Sequence, residues 1–373
     1  MDEYRKLQQH LNQQAVPFPA TKSGAEIRIL KHIFTPEEAE IATKLNYQFD
    51  SLENIYNRTE KEISIDELEN SLENMLQKGG IAFKYKDGSK MYCNVPLILG
   101  MYEGQLHRLT KEFLEDFKKY TYHPSFAISF LSTNKSQMRT IPIAKSITPE
   151  NRVETYDRVQ SLIEQSEKRV VVECICSKAA EIKGGKCNAT SRKERCLALD
   201  DLAVICLKLN IGREITKQEA LEILEMNQKD GLVLQVSNSK KPDVVCSCCK
   251  CCCGMLDIQM NLPRPLDFWA SNYSAKIDST ICNGCGSCET ICQVNAIDHD
   301  KKKRVTEIKA HRCIGCGNCV VRCKAGAITL VKNPISAIPP DTSEDLYDSM
   351  YENKKSSWEK FKMVLKIVFR MKQ

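Results

Sequence analysis

Cys282-Asn283-Gly284-Cys285-Gly286-Ser287-Cys288-Glu289-Thr290-Ile291-Cys292 reads C-x2-C-x2-C-x3-C, and Cys313-Ile314-Gly315-Cys316-Gly317-Asn318-Cys319-Val320-Val321-Arg322-Cys323 repeats it. Three thiolates spaced by two residues can wrap three corners of a four-iron, four-sulfide cubane. The fourth cysteine of each run is expected to start a helix and ligate the other cluster. Gly284, Gly286, Gly315 and Gly317 let the backbone curl close to the sulfides, so its N–H groups can stabilise them. Ile277 and the pairs Ala296-Ile297 and Ala327-Ile328 would supply an apolar jacket. Paired zinc sites are the competing reading, but zinc favours two separated C-x2-C knuckles over runs of four.

Outward from these runs, the chain has 373 residues, room for about two or three domains. Its 54 bases exceed its 48 acids by six, too small an excess for a dedicated nucleic-acid binder. No apolar run approaches the ~20 residues that span a bilayer. Met1-Asp2-Glu3 opens without a basic and apolar leader pattern. The expected location is therefore the cytoplasm, where disulfides are not expected and thiols read as metal ligands. There are 20 cysteines, and Cys93 alone precedes residue 173.

Cys174, Cys176, Cys187 and Cys196 read as a four-thiol set among Lys178, Lys183, Lys186, Arg192, Lys193 and Arg195. Cations lower thiol pKa and offset the charge of a thiolate-bound cluster. A further 4Fe–4S cluster is expected there, with zinc or free thiols as the alternative. Cys246, Cys248, Cys249, Cys251, Cys252 and Cys253 crowd six thiols into eight residues. Neighbours in an extended stretch point to opposite sides. Alternate cysteines could thus serve two centres, or some could join the Cys174 set. Iron is preferred there, with a zinc or copper cluster as the alternative. Cys206 and Cys93 stay unassigned.

The fold class expected is α+β. Residues 30–122 read as a winged-helix-like module plus a long helix. Capping boxes at Thr35-Pro36-Glu37-Glu38 and Ser64-Ile65-Asp66-Glu67 mark helix starts, and another helix begins near Ser51. Asp87-Gly88 marks a hairpin between Ile81–Tyr85 and Lys90–Val95. The stripe Tyr102, Leu106, Leu109, Phe113, Phe117 and Tyr120 predicts one long amphipathic helix, broken at Pro124. Residues 123–270 form an α/β cysteine-rich region, with strands at Phe126–Leu131, Arg139–Ile143 and Arg169–Glu173 and a helix near Glu150–Glu167. Thr216 to Val236 echoes the Ser64 helix–turn–strand unit, by repetition or by coincidence. Residues 271–332 hold the two cysteine runs, 333–350 a linker, and 351–373 a basic amphipathic helix. That helix could lie on an anionic membrane surface, or dock on the body of the protein or on a partner.

Residues 275–332 resemble a bacterial-type ferredoxin domain with two 4Fe–4S clusters. The resemblance implies that Cys282, Cys285, Cys288 and Cys323 hold one cluster, and Cys313, Cys316, Cys319 and Cys292 the other. The family usually has proline after the fourth cysteine, where Gln293 and Lys324 stand here. More broadly, residues 30–332 resemble a family of multidomain 4Fe–4S ferredoxin-like proteins of anaerobic bacteria and archaea. The shared features are Cys174-Ile175-Cys176, Cys196-Leu197, Gln235-Val236-Ser237-Asn238, the Cys246–Gly254 run and the terminal two-cluster domain. That resemblance implies electron transfer to or from a redox partner.

Three functions follow. The first is an electron carrier, with the basic Lys301–Arg304 surface docking an acidic partner. The second is a redox enzyme or reductase subunit with Cys246–Cys253 at its active centre, although no nucleotide fingerprint is present. The third is an iron–sulfur-sensing transcription regulator. Residues 51–79 carry seven acids (Glu53, Glu60, Glu62, Asp66, Glu67, Glu69, Glu73) against three bases (Arg58, Lys61, Lys78), which argues against DNA. His311, two residues before Cys313, could tune a cluster with pH, and His107 reads as structural.

Overall fold

The computed structural model describes residues 2–60, 63–133, 135–147, 153–334 and 336–370. Lys61 and Glu62 lie outside them. The protein is α+β.

The N-terminal module runs α1 (Glu3–Gln13), α2 (Ala25–Ile33), α3 (Pro36–Ala42), β1 (Asp50–Ser51), α4 (Leu52–Arg58), α5 (Ile65–Gln77), β2 (Ile81–Lys86) and β3 (Ser89–Asn94). Both capping boxes form. The Glu38 N–H donates to Thr35 Oγ1 at 3.2 Å, while Glu38 Oε2 accepts the Thr35 N–H at 2.8 Å. Ser64 and Glu67 do the same. Each such cap contributes about 1 kcal/mol. Helix α5 buries Leu68, Leu72, Met75 and Leu76, the face its spacing marks. Asp87 and Gly88 both take positive φ, as a tight two-residue hairpin loop requires. The sheet order is β1-β3-β2.

The stripe from Tyr102 to Tyr120 is not one helix. Short turns cover Leu97–Met101 and Glu103–Gln105, and α6 (Lys111–Thr121) starts afresh. Thr110 is extended, and its Oγ1 accepts the Phe113 N–H at 3.1 Å. A threonine that caps this well ends one helix and begins another. Tyr102, Leu106, Phe113 and Tyr120 are still buried in one core. His107 lies in the break, with Nε2 3.1 Å from the Asn210 carbonyl. Pro124 opens a helix, α7 (Pro124–Leu131), where a strand was expected. A short continuous apolar run does not distinguish the two, and proline at the first helical position fits a start.

The middle region contains β4 (Met138–Ile141), α8 (Val159–Gln165), β5 (Arg169–Glu173), α9 (Ile175–Ile182), β6 (Glu194–Leu199), α10 (Asp200–Lys208), β7 (Gly212–Glu214), α11 (Lys217–Lys229), β8 (Val233–Ser237), β9 (Val244–Cys248), α12 (Gly254–Asn261) and β10 (Ala270–Ser271). The helix expected from Glu150 is shorter, and residues 150–152 lie outside the described ones. The strands form one sheet ordered β10-β4-β8-β9-β6-β5-β7. Both α5–β2 and α11–β8 are helix–turn–strand units, but their strands lie in different sheets. One sheet face packs Val171, Leu197, Val236 and Val245 with Leu162 and Leu224. Alternation then sends Cys196, Cys246 and Cys248 to the opposite face, with the larger core.

Next come β11 (Tyr273–Ile277), α13 (Ser287–Ile291), β12 (Ile297–Asp300), β13 (Val305–Ile308), α14 (Asn318–Arg322) and β14 (Ile328–Lys332). β11 pairs with β14, and β12 with β13, both antiparallel. A buried polar node ties this part to the sheet. Arg139 Nε donates to Asp157 Oδ1 at 3.0 Å, and Asn272 Nδ2 to Asp157 Oδ2 at 3.0 Å. The segment read as a linker contains α15 (Ser343–Glu352), which buries Leu346 and Met350. The last helix, α16 (Ser357–Arg370), buries Met363 but leaves Trp358, Phe361, Leu365, Val368 and Phe369 exposed. Met371, Lys372 and Gln373 lie outside the described residues. No described helix is long and apolar enough to cross a membrane.

Candidate metal centres

The two regular runs form matching loops, each followed by a five-residue helix. One expectation needs correcting. Cys292 and Cys323 do not start those helices; they cap their C-terminal ends, and Cys288 and Cys319 lie in the first turns. The x3 spacing is one helical turn, so the fourth cysteine leaves the helix as the third enters it.

The loops suit a bound anion. The Ala275 N–H donates to Cys313 Sγ at 3.3 Å, and the Ala296 N–H to Cys292 Sγ at 3.2 Å. Gly315 has φ +64°, and a Cβ there would lie 2.2 Å from the Tyr273 carbonyl oxygen. Only glycine fits that approach. Burial pushes the Cys316 thiol up to about 12. The charge of Cys292 acts on Cys313, Cys316 and Cys319, while Cys282 and Cys285 act on Cys288. Ala296, Ile297, Ala327 and Ile328 are buried around them.

The other ten cysteines from Cys174 to Cys253, Cys206 aside, divide in a way the sequence does not show. Cys187, Cys249, Cys251 and Cys252 place their sulfurs within 4.8 Å of one another. Cys187 Sγ is 3.6 Å from Cys249 Sγ and 3.9 Å from Cys251 Sγ. Burial opposes the Cys187 thiolate, but the N–H groups of Thr190 and Ala189, the Cys249 thiol and Arg195 pull its pKa down to about 7. The set expected around Cys174 therefore breaks up, because Cys187 turns away to this quartet.

The remaining six close a ring of side-chain contacts, Cys174–Cys176–Cys253–Cys248–Cys246–Cys196 and back to Cys174. β6 supplies Cys196 and β9 supplies Cys246 and Cys248, side by side through the Leu197–Val245 pairing. Cys174 is the N-cap of α9 and Cys253 the N-cap of α12. Two helix N-termini thus converge on the ring, and each favours negative charge. Contacts from Cys176 and Cys196 push the Cys174 thiol well down. The same contacts push Cys176 and Cys196 up.

Arg195 stands between the two groups. It is fully buried, and its Nη1 lies 3.7 Å from Cys187 Sγ. Burial works against its charge, but the thiolates of Cys174, Cys196, Cys187 and Cys249 outweigh that and hold it above the usual range. Among the described residues, its Nε and Nη2 have no hydrogen-bond partner. A buried guanidinium with two unmet donor nitrogens among sulfurs suits a centre rich in anionic acceptors.

Gln293, in the place of the usual proline, joins the regular runs to the dense one. Its Oε1 accepts the Lys250 N–H at 2.9 Å, and its Nε2 donates to the Gly231 carbonyl at 3.2 Å. Cys93 and Cys206 belong to neither thiol group; both are buried, and burial raises Cys206 to about 12. Lys301–Arg304 form an exposed turn, and His311 is exposed. Sequence reasoning missed Glu103, which lines a cavity beside the ring and carries no motif.

Residues 281–329 match the family model of the 4Fe-4S dicluster domain. That match covers the two regular runs, and with the other cysteines it supports an iron–sulfur, ferredoxin-like character for this part of the chain. No curated protein and no solved structure matches the chain. The dicluster match and the thiol clusters support 4Fe–4S cofactors and an electron-transfer role.

Proposed function

We propose that this iron–sulfur protein is a cytoplasmic electron carrier, or the electron-transfer part of a larger reductase. In this reading Cys282, Cys285, Cys288 and Cys323 hold one cluster, and Cys313, Cys316, Cys319 and Cys292 the other. Each bound cluster supplies a one-electron centre that changes charge without moving atoms far. The chain's own part is to hold thiolates, donate N–H groups to them and exclude water. The quartet Cys187, Cys249, Cys251 and Cys252 would hold a further iron–sulfur centre, with zinc as the alternative that its tight spacing also allows.

The observation that carries the reading is the contact between Gln293 and Lys250. Cys292 is bonded to Gln293, and Lys250 lies between Cys249 and Cys251. Two hydrogen-bonded residues therefore separate the dicluster loops from the quartet. That is a short route for electrons. The exposed Lys301–Arg304 turn suits an acidic redox partner.

The test is iron, acid-labile sulfide and zinc per chain after anaerobic purification, with EPR of the reduced protein. About eight irons from the dicluster loops, plus more from the middle, are expected. Near-zero iron with several zincs would defeat the reading.

A further inference from the structure

The six-thiol ring has the wrong number of ligands for an ordinary cluster. A cubane has four irons, each taking one thiolate. Six thiolates exceed one cubane by two and fall two short of two cubanes. The ring is also distinct from the quartet, with Arg195 between them. Its thiols line a cavity of about 710 Å³. That volume is within the range of sites for mid-sized organic ligands.

The cavity lies between the cysteine-bearing face of the large sheet and the N-terminal module. Its walls are largely apolar, including Ile81, Ala82, Leu97, Leu99 and Ile205. Its rim reaches the exposed residues Gln48, Asp200, Lys241 and Glu344, so it opens to solvent there. Two features set the cavity wall apart. Leu99 holds φ +60°, ψ +49°, a left-handed conformation costing about 1–3 kcal/mol in a residue that is not glycine. Glu103 keeps partial access to the cavity although protein surrounds it, and one of its oxygens accepts the Gly100 N–H at 2.8 Å. Burial favours its neutral form, which can donate a hydrogen bond into the cavity.

We propose that Cys174, Cys176, Cys196, Cys246, Cys248 and Cys253 hold a single iron–sulfur centre larger than one cubane, and that the cavity admits an organic ligand to an iron lacking a protein thiolate. The ligand has a largely apolar body, one donor atom for iron and an acceptor for the Glu103 carboxyl. The proposal rests on the iron–sulfur reading of the middle region. It adds a ligand-binding end to what would otherwise be a closed relay. Arg195, with its two unmet donor nitrogens, would offset part of the charge of the six thiolates.

The test uses the full chain purified anaerobically, with cyanide as the probe for an open iron position. Cys248→Ser should lose more than four irons together and keep the dicluster EPR signals, whereas Cys187→Ser should lose at most about four. Cyanide should shift the EPR spectrum of the unaltered protein and leave that of Cys248→Ser unchanged. Ile205→Trp, which narrows the cavity without touching a thiol, should keep its iron and its cyanide shift, since a diatomic ion still passes, but lose the shift that the bulkier tert-butyl isocyanide gives the unaltered protein; Ala82→Phe serves if that variant does not fold. The proposal fails if Cys248→Ser and Cys187→Ser lose the same four irons, if Cys248→Ser loses none, or if cyanide leaves the unaltered protein unchanged. Absence of dicluster iron from the unaltered protein would instead defeat the electron-transfer reading.

Discussion

Gln293 Oε1 accepts the backbone N–H of Lys250 at 2.9 Å, and this bond joins the dicluster loops to the dense cysteine run. Gln293 is buried and also donates to the Gly231 carbonyl. Replacing it with proline removes both bonds. Gln293→Pro should cost about 1–3 kcal/mol, because the Lys250 N–H loses its partner. The dicluster EPR signals should persist, and electron transfer to the middle centres should slow. Anaerobic thermal denaturation reads the first effect and flash reduction the second. Transfer at the original rate would show that electrons take another route.

Arg195 is the buried cation common to the ring and the quartet. Arg195→Met leaves both sets of thiolates uncompensated, at a cost of about 3–5 kcal/mol. Middle-region iron should fall while dicluster iron stays. Any centre that survives should have a lower reduction potential, since a neighbouring positive charge favours the added electron. A potentiometric EPR titration checks the sign, and an unchanged potential would remove Arg195 from this role.

Gly315 and Gly184 both have positive φ, but their surroundings differ. A Cβ at Gly315 would lie 2.2 Å from the Tyr273 carbonyl oxygen, whereas among the described residues beyond its chain neighbours nothing lies within 4 Å of one at Gly184. Gly184→Ala should cost only about 1 kcal/mol of backbone strain and keep every cluster. Gly315→Ala must shift β11 or its own loop, and should lose about four irons. Iron analysis of the two variants side by side separates strain from collision.

Burial pushes the Glu103 carboxyl up to about 7, against the opposing pull of the Gly100 N–H. Its folded pKa lies above its unfolded value, so the folded protein binds more protons between them. Stability from this group is full below the unfolded pKa and falls as pH rises through about 7. Glu103→Gln should remove that slope and gain stability relative to the unaltered protein above pH 7, by at most about 3 kcal/mol. Difference infrared spectra should show a carboxylic-acid band at pH 6 that fades by about pH 8. A band absent at pH 6 would place Glu103 in water rather than in the cavity wall.

The two C-x2-C-x2-C-x3-C runs were legible from sequence because each motif is local. Spacing, glycines and flanking apolar pairs all lie within a few residues of the sulfurs. The α5 face and both N-terminal caps were legible for the same reason, since a capping box closes over four residues. The break at Thr110 and the helix at Pro124 were harder, because an apolar stripe or run constrains burial more than backbone shape.

The sorting of Cys174 to Cys253 depends on tertiary structure. Strand alternation separates Cys246 and Cys248 from Ser247, but which face meets the helix N-termini at Cys174 and Cys253 depends on sheet order. Cys187 lies nine residues before Cys196, yet it joins sulfurs more than sixty residues later in the chain. Glu103 has no motif; the cavity between the N-terminal module and the sheet sets its chemistry. Sequence alone reveals a thiol motif whose spacing is held within one short run of chain. Thiols brought together across a sheet are set by packing, because their relative positions depend on every element between them.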